Sequence, residues 1–181
     1  AEGNYTDTLD RAPEALAESF EGLHGIEDRL RGWHGVRIED ARDDDTRLSR
    51  FATDSRRLTI SGVLPPESRA SLLPHRLAVL EFGNEMRTVS ETSGLASPAA
   101  RELLSLGLAN YAAGALLMPY ARFREAAREV RHDIDRLRQR FGTSFEQACH
   151  RLSTLQRPGA LGIPFFFCRV DMAGNITKRH S

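Results

Sequence analysis

The first 33 residues of the chain carry apolar side chains at roughly helical spacing. This spacing is typical of amphipathic helices, and two glycines interrupt it. The apolar set is Leu9, Leu16, Phe20, Leu23, Ile26 and Leu30, with breaks near Gly22 and Gly25. We predict two helices from this pattern.

The pattern changes after residue 35 to short runs of β-branched and aromatic residues. Such runs favour strands, and acidic or polar turns separate them here. We predict a small antiparallel sheet. Its strands are expected at 36–38, 48–51 and 58–60.

Two helices with clear end signals are predicted after the sheet. The first covers about 68–86, where Pro74 would introduce a kink. The second begins at Ser97, a favoured N-cap, followed by Pro98 at the favoured first position, and it ends before Pro119. Its residues are apolar nearly all round, which favours a position at the centre of the domain.

Three shorter helices are predicted in the last third. Two cover 120–130 and 133–141, and Gly142 ends the second of them. Thr143 and Glu146 have the spacing of a capping box, which begins a third helix. That helix should end at residue 155, with an inner face of Phe145, Ala148, Cys149, Leu152 and Leu155.

A continuous apolar run at 164–170 predicts a buried strand, and residues 173–175 predict a tight turn after it. Together the elements predict an α+β fold that is mostly helical, with one small sheet. A chain of 181 residues fits a single domain. We expect one domain over 1–181, with leading helices at 1–35, a small sheet at 36–62, a helical core at 63–158 and a strand and turn at 159–181.

Composition narrows the class of protein. No run of about eighteen apolar residues occurs, so nothing predicts a membrane-spanning helix. Cys149 and Cys168 supply neither a disulfide framework nor zinc-site spacing, so we expect a reducing, cytoplasmic setting. The chain opens on Ala1 without a signal segment, and we expect further segments outside it.

The net charge is zero, but it is divided unevenly along the chain. Residues 1–119 carry 13 Arg and 19 acidic residues, whereas residues 120–181 carry 11 Arg, one Lys and 6 acidic residues. A basic C-terminal third is suited to the phosphates of a nucleic acid or of a phosphorylated ligand. Charge alone does not separate these two partners.

Residues 134–155 resemble a helix-turn-helix with Gly142 in the turn. The outer face of the second helix offers four polar side chains suited to a DNA groove. They are Ser144, Gln147, His150 and Arg151. Two helices around a Gly turn are also common scaffolding, and Glu146 would repel phosphates at the helix start. Both interpretations stay open at this point.

A longer resemblance covers most of the chain. The small sheet, the helix after it, and the segments 109–113, 116–119 and 150–152 resemble the ImmA/IrrE-type metallopeptidase fold. Active members hold zinc with H-E-x-x-H, in which the Glu is the general base. The matching stretch is His75-Arg76-Leu77-Ala78-Val79, so the base and the second ligand are missing. Residues 106–108 offer no third ligand. The resemblance implies a degenerate zincin-like domain without a catalytic metal.

A more specific resemblance lies in four blocks, at 116–120, 144–146, 150–158 and 164–179. These blocks are similar to the short-chain fatty acyl-CoA regulators, bacterial transcriptional regulators of the methylcitrate cycle and glyoxylate metabolism. The resemblance implies an N-terminal helix-turn-helix of the Xre type, this degenerate sensor domain, and a Cys-rich C-terminal part. We expect DNA to be bound by the N-terminal part outside this chain. Any iron–sulfur cluster is expected in the C-terminal part, also outside it.

The resemblance implies a short-chain acyl-CoA as ligand. CoA carries phosphates, an adenine ring and an acyl group, so its site needs cations, a stacking surface and an apolar slot. Arg169 alternates with Phe165 and Phe167 on one face of the predicted strand. An ion pair between Arg169 and a carboxylate such as Asp171 explains this pattern equally well. Arg157 is a further candidate cation.

Five more residues are candidates for the ligand site. Lys178 and Arg179 follow a turn and would clamp a phosphate, or form a solvated basic tail. Tyr111 and Tyr120 flank the end of the apolar helix and would line an acyl slot, although buried Tyr is common in cores. Arg76 is expected in the old zinc cleft, where a cation would bind an anion.

Three functions follow from these patterns. The leading hypothesis is a sensor for propionyl-CoA or a similar acyl-CoA, within a regulator of propionate and acetate metabolism. It predicts no enzyme activity, no bound metal and no membrane partner. The alternatives are a zinc metallopeptidase of the ImmA/IrrE type, and a dimerisation or scaffold module that would form a homo-oligomer.

Overall fold

The computed structural model describes residues 5–41, 49–64 and 66–180 of the chain. Within these ranges the chain forms eight helices and five strands, which confirms the predicted α+β fold class. The helices are α1 (Asp7–Ala17), α2 (Gly22–Gly32), α3 (Pro66–Glu81), α4 (Gly83–Thr92), α5 (Pro98–Leu117), α6 (Tyr120–Glu129), α7 (Ile134–Phe141) and α8 (Phe145–Ser153). The strands are β1 (Arg37–Asp40), β2 (Ser49–Ala52), β3 (Arg57–Ile60), β4 (Phe167–Val170) and β5 (Ile176–His180).

The hydrophobic core has two adjoining parts. The larger part packs α1, α2, α3 and the three-stranded sheet around α5, with Leu77 and Ala112 fully buried. The smaller part lies between α6, α7 and α8 around Phe123 and Leu137. Leu117, at the end of α5, packs against both parts and so joins them.

Helix α5 lies at the centre of the fold only in its second half. Residues 108–116 are mostly buried, as predicted, whereas Leu103 in the first half is 72% exposed. Only one face of that first half, including Leu104, packs against the core, because Arg101 and Glu102 stay in water. No single helix among the described residues is long and apolar enough to cross a membrane. The pair α5 and α6 meets that test together, but it is bent by 65°.

The three-stranded sheet is mixed, so the predicted antiparallel arrangement is only partly correct. Strand order is β1-β3-β2, in which β2 and β3 are antiparallel and β1 and β3 are parallel. β3 forms a hairpin with β2 and lies between β2 and β1. It runs in the same direction as β1. Leu58 and Ile60 alternate along β3 and point into the core.

The helix predicted at 68–86 is two helices in the structure. α3 ends at Glu81, because the backbone of Phe82 leaves the helical region with φ −116° and ψ 20° while its side chain enters the core. α4 then continues to Thr92 and was not predicted beyond residue 86. Met86 is the buried residue of α4, so the apolar pattern of this helix is too short to predict it from the sequence.

The start of α8 is one residue later than predicted. Gly142 ends α7 in the left-handed region at φ 62°, as expected for a helix C-terminus. The capping box is formed by Ser144 and Gln147 instead of Thr143 and Glu146. Thr143 is buried and directs its hydroxyl to the Met118 sulfur at 3.8 Å, so it is not available as a cap.

The predicted buried strand at 164–170 is a shorter and more exposed strand. β4 pairs antiparallel with β5, and the turn between them has Gly174 at φ 85°, within the predicted turn. Phe167 is half-buried, whereas Val170 is exposed. One face of this two-stranded sheet packs toward α8, and the other face is exposed to water.

Candidate ligand-binding cleft

A cleft with a volume of about 600 Å³ lies between α3, α5 and the first turns of α8. This is within the range of pockets that bind small molecules. α3 contributes Ser68, Ser71, Leu72 and His75; α5 contributes Leu106, Gly107, Asn110, Ala113 and Gly114; the α8 region contributes Ser144, Glu146, Gln147 and His150.

The described lining of the cleft contains one carboxylate and two histidines. None of the lining residues within the described part of the chain is Arg or Lys, and Glu146 is a carboxylate. Leu72, Leu106 and Ala113 supply an apolar surface. A Cβ placed on Gly107 or Gly114 would meet no atom within 4 Å, so these positions leave open space. The cleft is therefore neutral to acidic, partly apolar and roomy.

His75 is an unpaired polar group in the wall of this cleft. Its Nε2 atom is buried and makes no hydrogen bond to any described residue. Burial, and secondly the nearby Arg76 charge, hold the pKa of His75 below its ordinary value, so the imidazole is neutral near pH 7. A buried donor or acceptor without a partner is costly in free energy, so a ligand that bonds to Nε2 would gain by relieving that cost.

The residues present do not fit a catalytic zinc ion. In active zincins His75 would be joined by a second His at position 79, but Val79 stands there, and Arg76 replaces the general base. The described residues contain no group of three or more His, Cys, Asp or Glu side chains arranged to hold a metal ion. His150 and Glu146 share the cleft with His75 without completing such a set.

Arg76 does not line the cleft, in contrast to the sequence-based expectation. Its guanidinium lies over the Phe51 ring of β2, with 4.2 Å between the Cζ atom and the ring centroid. The neighbouring His75 faces the cleft because successive helical residues point about 100° apart. Burial lowers the pKa of Arg76, and its Nε has no hydrogen-bond partner among the described residues.

A buried ion pair joins the first helix to the last. Asp10 is 0% exposed and Arg151 is 2% exposed, and their N···O distance is 2.7 Å. Arg151 also donates to the Met118 carbonyl at 2.8 Å and lies 3.4 Å from the Thr154 hydroxyl. The Tyr111 hydroxyl donates to the second Asp10 oxygen at 3.2 Å. The charges at this site are therefore paired and hydrogen-bonded inside the protein.

A second ion pair extends the same network. Arg157 donates to Glu14 at 2.6 Å and to the Tyr5 hydroxyl at 3.1 Å, and it lies 4.0 Å over the Tyr120 ring. The Tyr120 hydroxyl accepts from the Arg157 backbone N–H and donates to the Ala160 carbonyl at 3.0 Å. Burial, with the hydrogen bond to the Asp7 carboxylate, raises the pKa of Tyr5 to about 12.

Three candidate ligand residues therefore lie in this network and not in the cleft. They are Tyr111, Tyr120 and Arg157, and their polar groups already have partners inside the protein. Asp10 accepts hydrogen bonds from both Tyr111 and Arg151. Asp10 was not identified as an important residue from the sequence. Its signal was a carboxylate on the inner face of α1, at helical spacing from the buried Pro13 and Ala17.

The geometry of α8 does not support the helix-turn-helix interpretation. Arg151, one of the four side chains expected on the outer face, is buried against Asp10. Ser144 and Gln147 bond to each other in the capping box, and both line the cleft together with His150. The residues of α8 that were expected to contact DNA therefore pack inside the domain or line the cleft.

The β4–β5 hairpin places Arg169 beside Glu146, a residue of the cleft lining. Arg169 lies 3.5 Å from the Glu146 carboxylate, so its acidic neighbour is Glu146 and not the predicted Asp171. Asp171 instead accepts hydrogen bonds from the turn, at the N–H groups of Ala173 and Asn175. The strand register puts Lys178 opposite Arg169 and Arg179 opposite Cys168. Phe165 and Phe167 are half-buried.

In the sequence, residues of α5 that line the cleft are recognisable only as interruptions of the apolar pattern of this helix. Gly107, Asn110 and Gly114 break an otherwise apolar helix at intervals of three and four residues. Small and polar residues at that spacing share one helix face. Such a face is unsuited to close apolar packing, and it is the signal that would have indicated the cleft.

Comparison with known proteins agrees with the fold and with the resemblances. Residues 34–153 match the family described as the IrrE N-terminal-like domain, and residues 154–181 match the short-chain fatty acyl coenzyme A regulator, C-terminal. A solved structure described as a Mycobacterium tuberculosis transcriptional regulator superposes with a TM-score of 0.90 at 39% identity, over 98% of this chain and 56% of that one.

The most similar proteins include several regulators. The chain is 41% identical over 184 residues to the HTH-type transcriptional regulators RamB and PrpR of Mycobacterium tuberculosis. It is 42% identical over 185 residues to the propionyl-CoA carboxylase regulator of Cereibacter sphaeroides. These alignments cover 98% of this chain, but only 38% or 39% of each relative.

All three relatives are named as regulators, in agreement with the prediction that the chain is not an enzyme. The boundary between the two family matches, at residues 153 and 154, coincides with the end of α8. The chain belongs to the IrrE N-terminal-like domain family, in the group that continues into the short-chain fatty acyl-CoA regulator region.

Proposed function

We propose that this chain is the sensor domain of a bacterial transcriptional regulator and binds a short-chain acyl-CoA such as propionyl-CoA. The observation that carries the proposal is the match of residues 154–181 to the short-chain fatty acyl-CoA regulators. One relative is named for the control of propionyl-CoA carboxylase. The whole regulator would bind DNA through a separate domain and control propionate metabolism.

The hairpin is the part of the structure best suited to the phosphates of CoA. Arg169 has a side chain that is 65% exposed, so a ligand can reach it. Its pairing with Glu146 is long, at 3.5 Å, and exposed, and such pairs contribute little to stability. A phosphate would compete effectively, because charge-assisted bonds from Arg to phosphate are strong. Lys178 lies opposite Arg169 in the strand register and Arg179 lies opposite Cys168, so β5 contributes two further cationic residues to the hairpin.

The experiment is a calorimetric titration of the protein with acetyl-CoA, propionyl-CoA, butyryl-CoA and free propionate. We expect binding of at least one acyl-CoA and none of free propionate, together with a raised melting temperature. Ligand at about 100 times Kd adds about 2.7 kcal/mol of stability. Heats and melting curves that no acyl-CoA changes would overturn the proposal.

The Arg169→Ala variant tests the phosphate contact. Loss of a charge-assisted hydrogen bond should weaken propionyl-CoA binding about tenfold to a hundredfold, without a change in melting temperature. Arg138→Ala is the matched control, because Arg138 is an exposed Arg paired with Asp135 on α7, away from the cleft. If both variants bind as the parent protein does, Arg169 has no part in the site.

A further inference from the structure

We infer that the cleft between α3, α5 and α8 takes the acyl-pantetheine arm of the ligand, and that His75 bonds to a carbonyl oxygen of that arm. This inference rests on the proposed function and assigns each end of the ligand to a different part of the fold. The nucleotide end would lie at the hairpin, outside the cleft.

The charges of the described cleft lining favour the arm over the nucleotide end. A phosphate that leaves water needs cations and hydrogen-bond donors in its place. The lining residues that the structure describes include neither Arg nor Lys, and Glu146 among them would repel an anion. Arg76, which follows His75 in the chain, faces Phe51 instead. Arg169 lies next to Glu146, so a positive charge is available at the Glu146 end of the cleft.

The chemistry of the lining matches the arm of an acyl-CoA. Pantetheine carries two amides and a thioester, which are neutral and need only a few hydrogen bonds, and a short acyl group needs a small apolar surface. Asn110, Ser71 and Gln147 are polar groups of the lining, and Leu72 and Ala113 are apolar ones. A volume of about 600 Å³ leaves room for such an arm.

His75 contributes to this lining a buried hydrogen-bonding atom, Nε2, that no described residue satisfies. With its proton on Nε2, the neutral imidazole donates, and a thioester or amide carbonyl oxygen accepts. A charged imidazole is disfavoured, because burial and the adjacent Arg76 both oppose protonation. The ligand would therefore satisfy Nε2, which is buried and has no partner among the described residues.

Two ligand fragments separate the two ends of the site. Propionyl-pantetheine contains the arm without phosphates, and adenosine 3′,5′-bisphosphate contains the nucleotide end without the arm. We expect His75→Leu to weaken propionyl-pantetheine and propionyl-CoA about two- to tenfold, the equivalent of one hydrogen bond, and to leave the bisphosphate unchanged. Arg169→Ala should do the reverse with the two fragments.

Two more variants test whether the effect comes from the hydrogen bond and from the cleft. His75→Gln places an amide near the position of Nε2 and should restore binding of the arm. Gly114→Leu fills open space in the cleft, since its Cβ meets no atom within 4 Å, and should abolish arm binding while the helical spectrum stays unchanged.

The outcomes distinguish the inference from the proposed function. If the parent protein binds no acyl-CoA, the proposed function fails and the inference fails with it. If the parent protein binds propionyl-CoA but His75→Leu and Gly114→Leu bind it equally well, the function stands and the cleft is not the arm site. If His75→Leu weakens both fragments to the same extent, the division of the ligand between cleft and hairpin is wrong.

Discussion

Replacement of Asp10 by Ala should destabilise the protein severely, because it leaves the Arg151 charge buried without its counter-ion. Arg151 would keep its bonds to the Met118 carbonyl and the Thr154 hydroxyl, but both of these groups are uncharged. Breaking a buried ion pair by removal of one partner costs about 3–5 kcal/mol. For a domain of this size that corresponds to a fall in melting temperature of about 6–20 °C.

The matched control is an ion pair of equal length on the surface. Asp135 and Arg138 lie 2.7 Å apart on α7, with side chains 65% and 41% exposed, whereas Asp10 and Arg151 lie 2.7 Å apart and are buried. Asp135→Ala should therefore cost only about 0–1 kcal/mol. Urea titration followed by circular dichroism is the suitable assay, because Trp33 is 73% exposed and would report the core poorly.

A double variant separates the charge from the contacts. Asp10→Leu with Arg151→Met removes both charges, and apolar replacement of a buried pair is often neutral or stabilising. This protein should therefore be more stable than the single Asp10→Ala variant. Equal losses for Asp10→Ala and Asp135→Ala, or a double variant no more stable than the single one, would refute the argument from burial.

Three further predictions concern caps, protons and metal. Ser144→Ala should cost about 1 kcal/mol in a urea titration because Ser144 caps α8, whereas Ser97→Ala should cost much less because Ser97 makes no side-chain cap bond. The melting temperature should fall as the pH drops below the ordinary His pKa of 6.5, since the folded state holds the pKa of His75 lower and the unfolded chain takes the proton first; His75→Gln should reduce that fall. Metal analysis should find no stoichiometric zinc, because Arg76 and Val79 replace a base and a ligand; zinc with chelator-sensitive cleavage of a protein would contradict this.

The sequence was informative wherever the cause of a structure is local. Gly142 ends α7 because a left-handed residue is needed there, and Pro98 begins α5 at its favoured position. The capping box was displaced by one residue because Thr143 and Ser144 are equally good caps by type. The choice depends on the Met118 sulfur, 25 positions away in the chain, which takes the Thr143 hydroxyl.

The candidate site was less predictable, because it joins distant segments. The cleft brings together residues 68 to 150 from three helices, and no local pattern specifies that meeting. Tyr111 and Arg157 have the right chemistry for a ligand, but Asp10 of α1 accepts from the Tyr111 hydroxyl and Glu14 of α1 pairs with Arg157. The Tyr120 hydroxyl donates to the Ala160 carbonyl. A cation near an aromatic ring looks the same in a sequence whether it serves a ligand or the fold.

The two ion pairs of α1 also determine how the domain would behave if its chain were cut. They join residues 141 and 143 positions apart, and α1 packs mainly on α5. The exposed segment 93–97 lies between these partners in the sequence and contributes nothing to the core. Fragments divided at that segment would therefore be held together by α1 and α3 packing on α5. The domain is therefore suited to reconstitution from two fragments. Each fragment would supply one charge of the Asp10–Arg151 pair and one charge of the Glu14–Arg157 pair.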